Sequence, residues 1–179
     1  MNDYPTKDGR RFTIEQPTAE NAEELIRYSK EIFSSTDQVL TTPEEYTITV
    51  ENEITWINGI NENENSLLRI AKLSNTIIGF LFFIHNSKKK ASHTGEFGVN
   101  VHPDYQGLGV GRKLVEALLE WAQQNKQIEK VVLQVFATNK NAIELYKKMG
   151  FLEEGRHVKA IKQADGTYVD ILQMYIETN

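Results

Sequence analysis

Three glycines at alternate positions stand directly before a segment with helical periodicity. Gly107, Gly109 and Gly111 lie in the stretch "QGLGVGR", which ends with Arg112. Glycines let backbone N–H groups converge because they carry no Cβ atom. The N-terminus of a helix adds unpaired N–H donors and roughly half a positive elementary charge. The loop and Arg112 together predict a binding site for an anion, most often a phosphate group.

Two common phosphate-binding loops do not match this pattern. Nucleoside triphosphatases require Lys followed by Ser or Thr after the last glycine, whereas Arg112 and Lys113 follow Gly111 here. The dinucleotide pattern G-x-G-x-x-G follows the first strand of a fold, whereas this G-x-G-x-G pattern lies in mid-chain. A tight strand-to-helix turn without a ligand remains an alternative, although one glycine is enough for such a turn.

Strands and helices predicted on both sides of the loop would hold it in place. Alternation, turn signals and apolar runs predict strands at 11–16, 66–73, 76–86, 95–101, 130–136, 151–163 and 167–177. Helical spacing predicts helices at 19–33, from Val50 to Ile60, directly after the glycine loop, and at 138–150. This order predicts one mixed α/β domain over residues 1–179, with seven strands and about four helices.

The composition narrows the class of function. The chain has 179 residues, 40% of them hydrophobic, a net charge of −5 and no cysteine. Without cysteine there is no disulfide, thiolate metal site or thiol nucleophile, and the four histidines show no metal-ligand spacing, so no metal is expected. The acidic balance argues against a nucleic-acid partner. No apolar run reaches the roughly 18 residues of a membrane span, and the start lacks an apolar leader, so a cytoplasmic protein without a membrane partner is expected.

A second motif, "NKNAIELYKKMGF" at 139–151, follows the glycine loop. The two motifs resemble those of the GNAT N-acetyltransferase superfamily, (Q/R)-x-x-G-x-(G/A) and N-x-x-A-x-x-(L)-Y-x-K-x-G-F. Their order and separation also match the family, as does the order of the predicted elements from 11 to 176. The end of the chain is most similar to the bacterial amino-acid and ribosomal-protein N-acetyltransferase branches.

This resemblance implies a fold and a reaction. The fold is a central, mostly antiparallel seven-stranded sheet flanked by about four helices. The reaction moves an acetyl group from acetyl-CoA to a primary amine by direct transfer in a ternary complex. The acceptor would be a small molecule such as an amino acid or a polyamine, or a protein N-terminus. A homodimer is compatible with the sequence, and an acyl-CoA-binding module that senses rather than catalyses is the alternative function.

The resemblance also implies roles for particular residues. The coenzyme would be bound by residues of the strand before the glycine loop, of the loop itself and of the second motif: Val99, Asn100, Val101, Gln106, Gly107, Leu108, Gly109, Val110, Gly111, Arg112, Asn139, Ala142, Tyr146 and Lys148. Tyr146 would donate a proton to the leaving thiolate, because a phenol with a pKa of about 10 keeps its proton at neutral pH. The alternative for Tyr146 is a packing role in the core.

The resemblance also implies a base and an acceptor pocket. Glu96 lies on the strand that leads into the site, where several family members have a glutamate that accepts the amine proton through water. The alternative is an exposed strand glutamate. Tyr28 and Glu31 on the first helix would line the acceptor pocket, because the family builds that pocket from this region. The alternative for both is a solvated helix face.

Overall fold

The computed structural model describes residues 2–178 and contains one mixed sheet. The eight strands are β1 (Asn2–Pro5), β2 (Arg11–Glu15), β3 (Leu67–Leu73), β4 (Thr76–His85), β5 (Thr94–Val101), β6 (Lys130–Phe136), β7 (Leu152–Lys162) and β8 (Tyr168–Glu177). The four α-helices are α1 (Ala22–Ser35), α2 (Val50–Asn61), α3 (Val110–Gln124) and α4 (Lys140–Lys148). The strand order is β1-β2-β3-β4-β5-β6-β8-β7. The β5–β6 pair is parallel and every other neighbouring pair is antiparallel.

The expected mixed, mostly antiparallel sheet with four helices is confirmed, but it has eight strands rather than seven. The additional strand, β1, pairs with β2 in antiparallel register, with Tyr4 opposite Phe12. The rings of these two residues lie 5.7 Å apart between centroids. The segment "NDYP" has no clear alternation and ends in proline, so its extended conformation depends on the neighbouring strand rather than on its own pattern.

The helices cover both faces of the sheet. On one face, α3 packs against β3, β4 and β5 through a buried stripe that consists of Val110, Leu114, Val115, Leu118 and Ala122. On the other face, α1 and α2 pack against β3 and β4 through Leu25, Ile32, Ile57 and Ile60. The helical pattern in the sequence began at Val50. In the structure Val50 is 38% exposed, so it does not belong to the buried side of α2.

The two central strands separate partway along their length. β5 and β6 pair only where residues 94–96 face residues 130–132. Beyond Glu96, β5 continues beside β4 as far as Val101, while β6 continues beside β8 as far as Phe136. One edge of β5 from Phe97 to Val101 therefore has no strand partner, and a cleft opens in the middle of the sheet.

Candidate active site

The cleft between the separating strands has a volume of about 570 Å³. β5, the end of β6 and one face of α4 form its inner side, and the α1–α2 connection at 36–49 with part of α2 forms the opposite side. The lining includes Glu96, Gly98, Val99, Asn100, Phe136, Asn139, Ala142 and Tyr146 on the inner side, and Val39, Tyr46, Glu53 and Trp56 on the opposite side. It therefore contains six of the residues predicted for the coenzyme and the catalytic chemistry: Glu96, Val99, Asn100, Asn139, Ala142 and Tyr146.

The open edge of β5 exposes backbone groups to the cleft. The His102 N–H donates to the Ile78 carbonyl oxygen in β4 at 3.0 Å. The backbone groups of His102 therefore face β4. Successive residues of a strand direct their backbone groups to opposite sides, so those of Val101 and Val99 face away from β4. The Gln106 side-chain amide donates to the Val101 carbonyl at 3.0 Å and ties the start of the glycine loop to this edge.

The glycine loop is open to a ligand at two of its three glycines. Gly107 and Gly109 have φ angles of 74° and 98°, and Gly109 is the N-cap of α3. A Cβ atom at either position would meet no other atom within 4 Å. The first helical bond of α3 runs from the Lys113 N–H to the Gly109 carbonyl at 3.1 Å. The helix therefore supplies no acceptor for the N–H groups of residues 110–112, and this arrangement fits an anionic phosphate.

Gly111, and the two cationic residues predicted to bind the coenzyme, make other contacts in the structure. A Cβ atom at Gly111 would lie 3.3 Å from Val101 Cγ2, so this glycine permits close packing of α3 on β5. The Arg112 Nε donates to Glu116 Oε1 at 2.7 Å. Lys148 Nζ lies 3.6 Å from Glu144 Oε2. Both ion pairs are at the surface, where such pairs contribute little, so both cations are free to turn toward a ligand.

One face of α4 borders the cleft. The Asn139 side-chain oxygen accepts a hydrogen bond from the Ala142 N–H at 3.2 Å and caps the helix. Asn139, Ala142 and Tyr146 follow at helical spacing and all line the cleft. The buried residues of α4 are Ile143 and Tyr146. Tyr146 therefore borders the cleft and belongs to the core at the same time.

The Tyr146 ring is held rigidly while its hydroxyl keeps its proton. The side chain is 7% exposed, and its ring lies 5.9 Å from that of Phe97 and 5.8 Å from that of Phe151. Burial raises the pKa of the Tyr146 phenol to about 12, with no hydrogen bond opposing the shift. The hydroxyl is therefore a neutral proton donor at physiological pH.

Glu96 stands where β5 and β6 part. It is the last residue of β5 that pairs with β6, opposite Val132. Its side chain lines the cleft and remains open to water. Partial burial against the cleft raises its pKa above the usual carboxyl value. A carboxylate of raised pKa with access to water has the properties of a general base.

Tyr28 and Glu31 lie outside the cleft lining. The Tyr28 side chain is buried at 3% exposure, and its hydroxyl donates to the Asn100 carbonyl at 3.2 Å. Glu31 is exposed on α1, where its carboxylate lies 3.8 Å from His102 Nε2. Tyr28 thus connects α1 to β5 through this hydrogen bond, and Glu31 borders a separate surface depression on α1. Neither residue is in a position to line the acceptor side of this cleft.

The opposite side of the cleft contains residues that the sequence reasoning missed. Trp56 of α2 lies 6.1 Å from Phe80 and 6.4 Å from Phe82 between ring centroids. Glu53, one turn earlier in α2, is only 5% exposed and lines the cleft. A sequence signal for Glu53 did exist, because it lies four and seven residues before the buried Ile57 and Ile60. A carboxylate at that spacing lies on an apolar helix face.

Glu53 carries a charge that burial disfavours. Desolvation raises its pKa, and it forms no ion pair within residues 2–178. The pKa of Tyr46 on the α1–α2 connection is raised, first by burial and further by the negative charge of Glu53. Because a buried carboxylate without a partner costs free energy, Glu53 is a candidate functional residue of the cleft.

A measurement of thermal stability tests whether burial raises the pKa of Glu53. The raised pKa means that the folded state binds the Glu53 proton more tightly than the unfolded chain does. This stabilisation is complete below the unfolded pKa and is lost as the pH rises through the folded pKa. We therefore expect Glu53→Gln to melt at a higher temperature than the wild type at pH 7, and the difference to shrink toward pH 4. Equal melting temperatures at both pH values would contradict the assignment, and Glu51→Gln on the exposed face of the same helix is the control.

Two structural findings concern metals and membranes. Across residues 2–178, no three His, Asp or Glu side chains gather closely enough to hold a metal ion. In the same part of the chain, no helix combines the length and the apolar character needed to cross a bilayer.

Similar proteins carry named activities. The L-amino acid N-acetyltransferase AaaT of Escherichia coli is 25% identical over 158 residues, covering 86% of this chain and 97% of the relative. The spermidine N(1)-acetyltransferase of Vibrio cholerae is 29% identical, covering 65% of this chain and 66% of the relative. The structure of yncA from Salmonella typhimurium with its cofactor acetyl-CoA superimposes with a TM-score of 0.82 at 20% identity, over 94% of each chain.

The family model of the acetyltransferase (GNAT) family matches residues 25–151. This match contains the glycine loop, α4 and all of the cleft lining except Ile171. The chain belongs to the acetyltransferase (GNAT) family and is an acetyl-CoA-dependent N-acetyltransferase.

Proposed function

We propose that the cleft between β5 and β6 transfers an acetyl group from acetyl-CoA to the primary amine of a small molecule. The observation that carries this proposal is the separation of β5 from β6, because it leaves a strand edge open between Tyr146 and the glycine loop that Gln106 ties to Val101. The named activities of the relatives, on L-amino acids and on spermidine, support a small amine as acceptor.

The residues that would hold the coenzyme fall into three groups. The N–H groups at the start of α3, with Gln106, Gly107, Leu108 and Gly109 before them, would bind the pyrophosphate. The backbone groups of Val99 and Val101 would pair with the extended pantetheine arm along the open edge, and Asn139 and Ala142 would contact it from α4. Arg112 and Lys148 would contribute positive charge at the surface. Acetyl-CoA supplies the acetyl group as a thioester.

The reaction requires two proton transfers. The bond that forms joins the acceptor nitrogen to the acetyl carbon, and the C–S bond breaks. Glu96 would accept a proton from the acceptor ammonium through water, which makes the nitrogen nucleophilic. Tyr146 would donate its phenolic proton to the leaving thiolate and recover a proton from the acceptor nitrogen, which loses its second N–H proton as the amide forms. Because the chain contains no cysteine, we propose direct transfer in a ternary complex without an acyl-enzyme.

An acetylation screen tests this function. The purified chain would be mixed with acetyl-CoA and with amino acids, diamines and polyamines, aminoglycosides and peptides with free N-termini. Release of the coenzyme thiol, together with a mass increase of the acceptor by one acetyl group, is expected for at least one small amine. Tight coenzyme binding without turnover of any acceptor would contradict the proposal and favour a sensing module.

Glu96→Gln tests the base. The rate of the wild type should fall at acidic pH as Glu96 becomes protonated, because only the carboxylate accepts a proton. The variant is expected to lose roughly 100-fold or more in kcat/KM at neutral pH, the usual contribution of a positioned base. It should also lose the acidic limb of the pH–rate profile while keeping its affinity for coenzyme A. Glu129→Gln, exposed before β6 and outside the cleft, is the matched control. An unchanged pH–rate profile in Glu96→Gln would mean that Glu96 is a solvated strand residue and not the base.

A further inference from the structure

The charged side chains of the cleft are all acidic. Within the described residues, its lining contains two carboxylates, Glu53 and Glu96, and no lysine, arginine or histidine. Carboxylates close to low-dielectric walls attract cations and repel anions. The cleft therefore disfavours an acceptor that carries a carboxylate of its own and favours one that is a cation.

The two carboxylates lie toward the same side of the sheet. Alternation along β5 places Glu96, Gly98 and Asn100 on one face, opposite Ile84, Phe82 and Phe80 of β4 respectively. This is the face that α2 covers, because Trp56 packs on both phenylalanine rings. Glu53 reaches the cleft from that helix. An acceptor lying on this face of β5 thus has an acidic group on each side.

On the same face of β5, one further hydrogen-bond acceptor besides the two carboxylates lacks a partner. Within residues 2–178, the Asn100 side-chain oxygen is the one fully buried side-chain polar atom without a partner. A buried acceptor is normally satisfied, and an exception calls for an explanation. The group that this oxygen lacks is an N–H or O–H donor. Glu53 is 5% exposed as a residue, and its carboxylate has no ion-pair partner within residues 2–178.

The surface between these groups is apolar. Trp56, Phe80 and Phe82 form a ring cluster with centroid separations of 6.1 to 6.4 Å. Aromatic faces bind methylene groups through burial and attract ammonium groups through their quadrupole. The chemistry that matches this surface is an alkyl chain with an N–H-bearing cation at each end.

We propose that Glu53 binds a second ammonium group of the acceptor, so that the preferred substrate is an α,ω-diamine rather than a monoamine or a free amino acid. This inference rests on the proposed acetyl transfer at the same cleft. One nitrogen of the diamine loses its proton toward Glu96 and accepts the acetyl group. The other nitrogen stays protonated beside Glu53 and the Asn100 oxygen, and its charge does not change during the reaction. Glu53 is thus a specificity-determining residue and takes no part in the proton transfers.

Three acceptors of equal chain length test this assignment. They are 1,5-diaminopentane, pentylamine and 5-aminopentanoate, which end in an ammonium, a methyl and a carboxylate group respectively, together with their shorter and longer homologues. For the wild type we expect kcat/KM to be highest for the diamine and lowest for the amino acid. Glu53→Gln should lower kcat/KM for the diamine roughly 10- to 100-fold, mainly through KM, because one partner of a buried charge pair is lost. It should leave pentylamine unchanged and improve 5-aminopentanoate.

Control measurements distinguish a failure of the second-ammonium site from a failure of the proposed acetyl transfer. Glu51→Gln, exposed on the same helix, should resemble the wild type with all three acceptors. A melting temperature of Glu53→Gln at or above that of the wild type shows that the variant folds. Equal kcat/KM for diamine and monoamine in the wild type, or an equal loss of both in Glu53→Gln, would overturn the inference while leaving acetyl transfer intact.

A binding measurement decides the role of Glu53 without turnover. If neither pentylamine nor any other amine is acetylated, the proposed function fails. Calorimetric titration of the diamine into the protein with coenzyme A then tests Glu53 alone. Diamine binding that weakens in Glu53→Gln and not in Glu51→Gln supports the second-ammonium site, and binding that is unaffected by either substitution overturns it.

Discussion

Tyr146→Phe is expected to lower kcat roughly 100- to 10,000-fold, the contribution of a positioned general acid. The substitution removes one oxygen and keeps the ring that packs between Phe97 and Phe151. Because the phenolic pKa is about 12, the wild-type residue stays protonated and ready to donate across the physiological range. The proton is needed only as the thiolate leaves, so the loss should appear in kcat rather than in coenzyme affinity.

The stability of this variant separates catalysis from packing. At most one hydrogen bond is lost, so the free energy of unfolding should change by no more than about 1 kcal/mol. Tyr175→Phe on β8, outside the cleft lining, is the matched control and should change neither kcat nor the melting temperature appreciably. Steady-state kinetics, with a viscosity series to show that chemistry limits the rate, would measure the effect. A wild-type kcat in Tyr146→Phe under those conditions would make Tyr146 a packing residue.

Gly109→Val is expected to weaken coenzyme A binding by roughly 100-fold, since losing two charge-assisted N–H contacts costs about 3 kcal/mol. Gly109 has a φ of 98° and open space where its Cβ would stand. A branched side chain there projects into the space before the unpaired N–H groups of α3. It also disfavours the backbone conformation that aims those groups outward.

A matched glycine elsewhere isolates the effect of the ligand site. Gly166 in the turn between β7 and β8 has a φ of 83° and also has no atom within 4 Å of a Cβ position. Gly166→Val should therefore carry a similar backbone strain and a similar loss of melting temperature, with coenzyme affinity unchanged. Calorimetric titration of coenzyme A into both variants makes the comparison. Equal affinities in wild type and Gly109→Val would contradict a phosphate-binding role for the loop.

The local patterns of the sequence were sufficient for most of the secondary structure. Each of the seven predicted strands begins and ends within one residue of the observed strand. Such strands carry their own alternation and turn residues, and α3 carries a continuous apolar stripe, so their conformations are encoded locally. β1 was missed because only its pairing with β2 makes it extended.

The motifs of the sequence also point to a site whose local geometry depends on short segments. Glycine spacing, a helix start and an N-cap asparagine are short-range features, because the groups that would bind the phosphate lie within a few residues of one another. The structure shows Gly109 at the N-cap of α3 with positive φ and Asn139 capping α4, as these patterns indicate. The roles of the individual residues remain predictions for the experiments above.

Only the tertiary structure decided the acceptor side. Glu53 on α2 lies far along the chain from Glu96 and Asn100 on β5, and the three residues border one cleft because β5 parts from β6 and α2 packs over β4. The same packing turns Tyr28 into a support for β5 and leaves Glu31 at the surface. Periodicity shows which face of an element is buried, but not which other element covers it. The charge environment of a carboxylate depends on that covering element, so it could not be read from the sequence of its own helix.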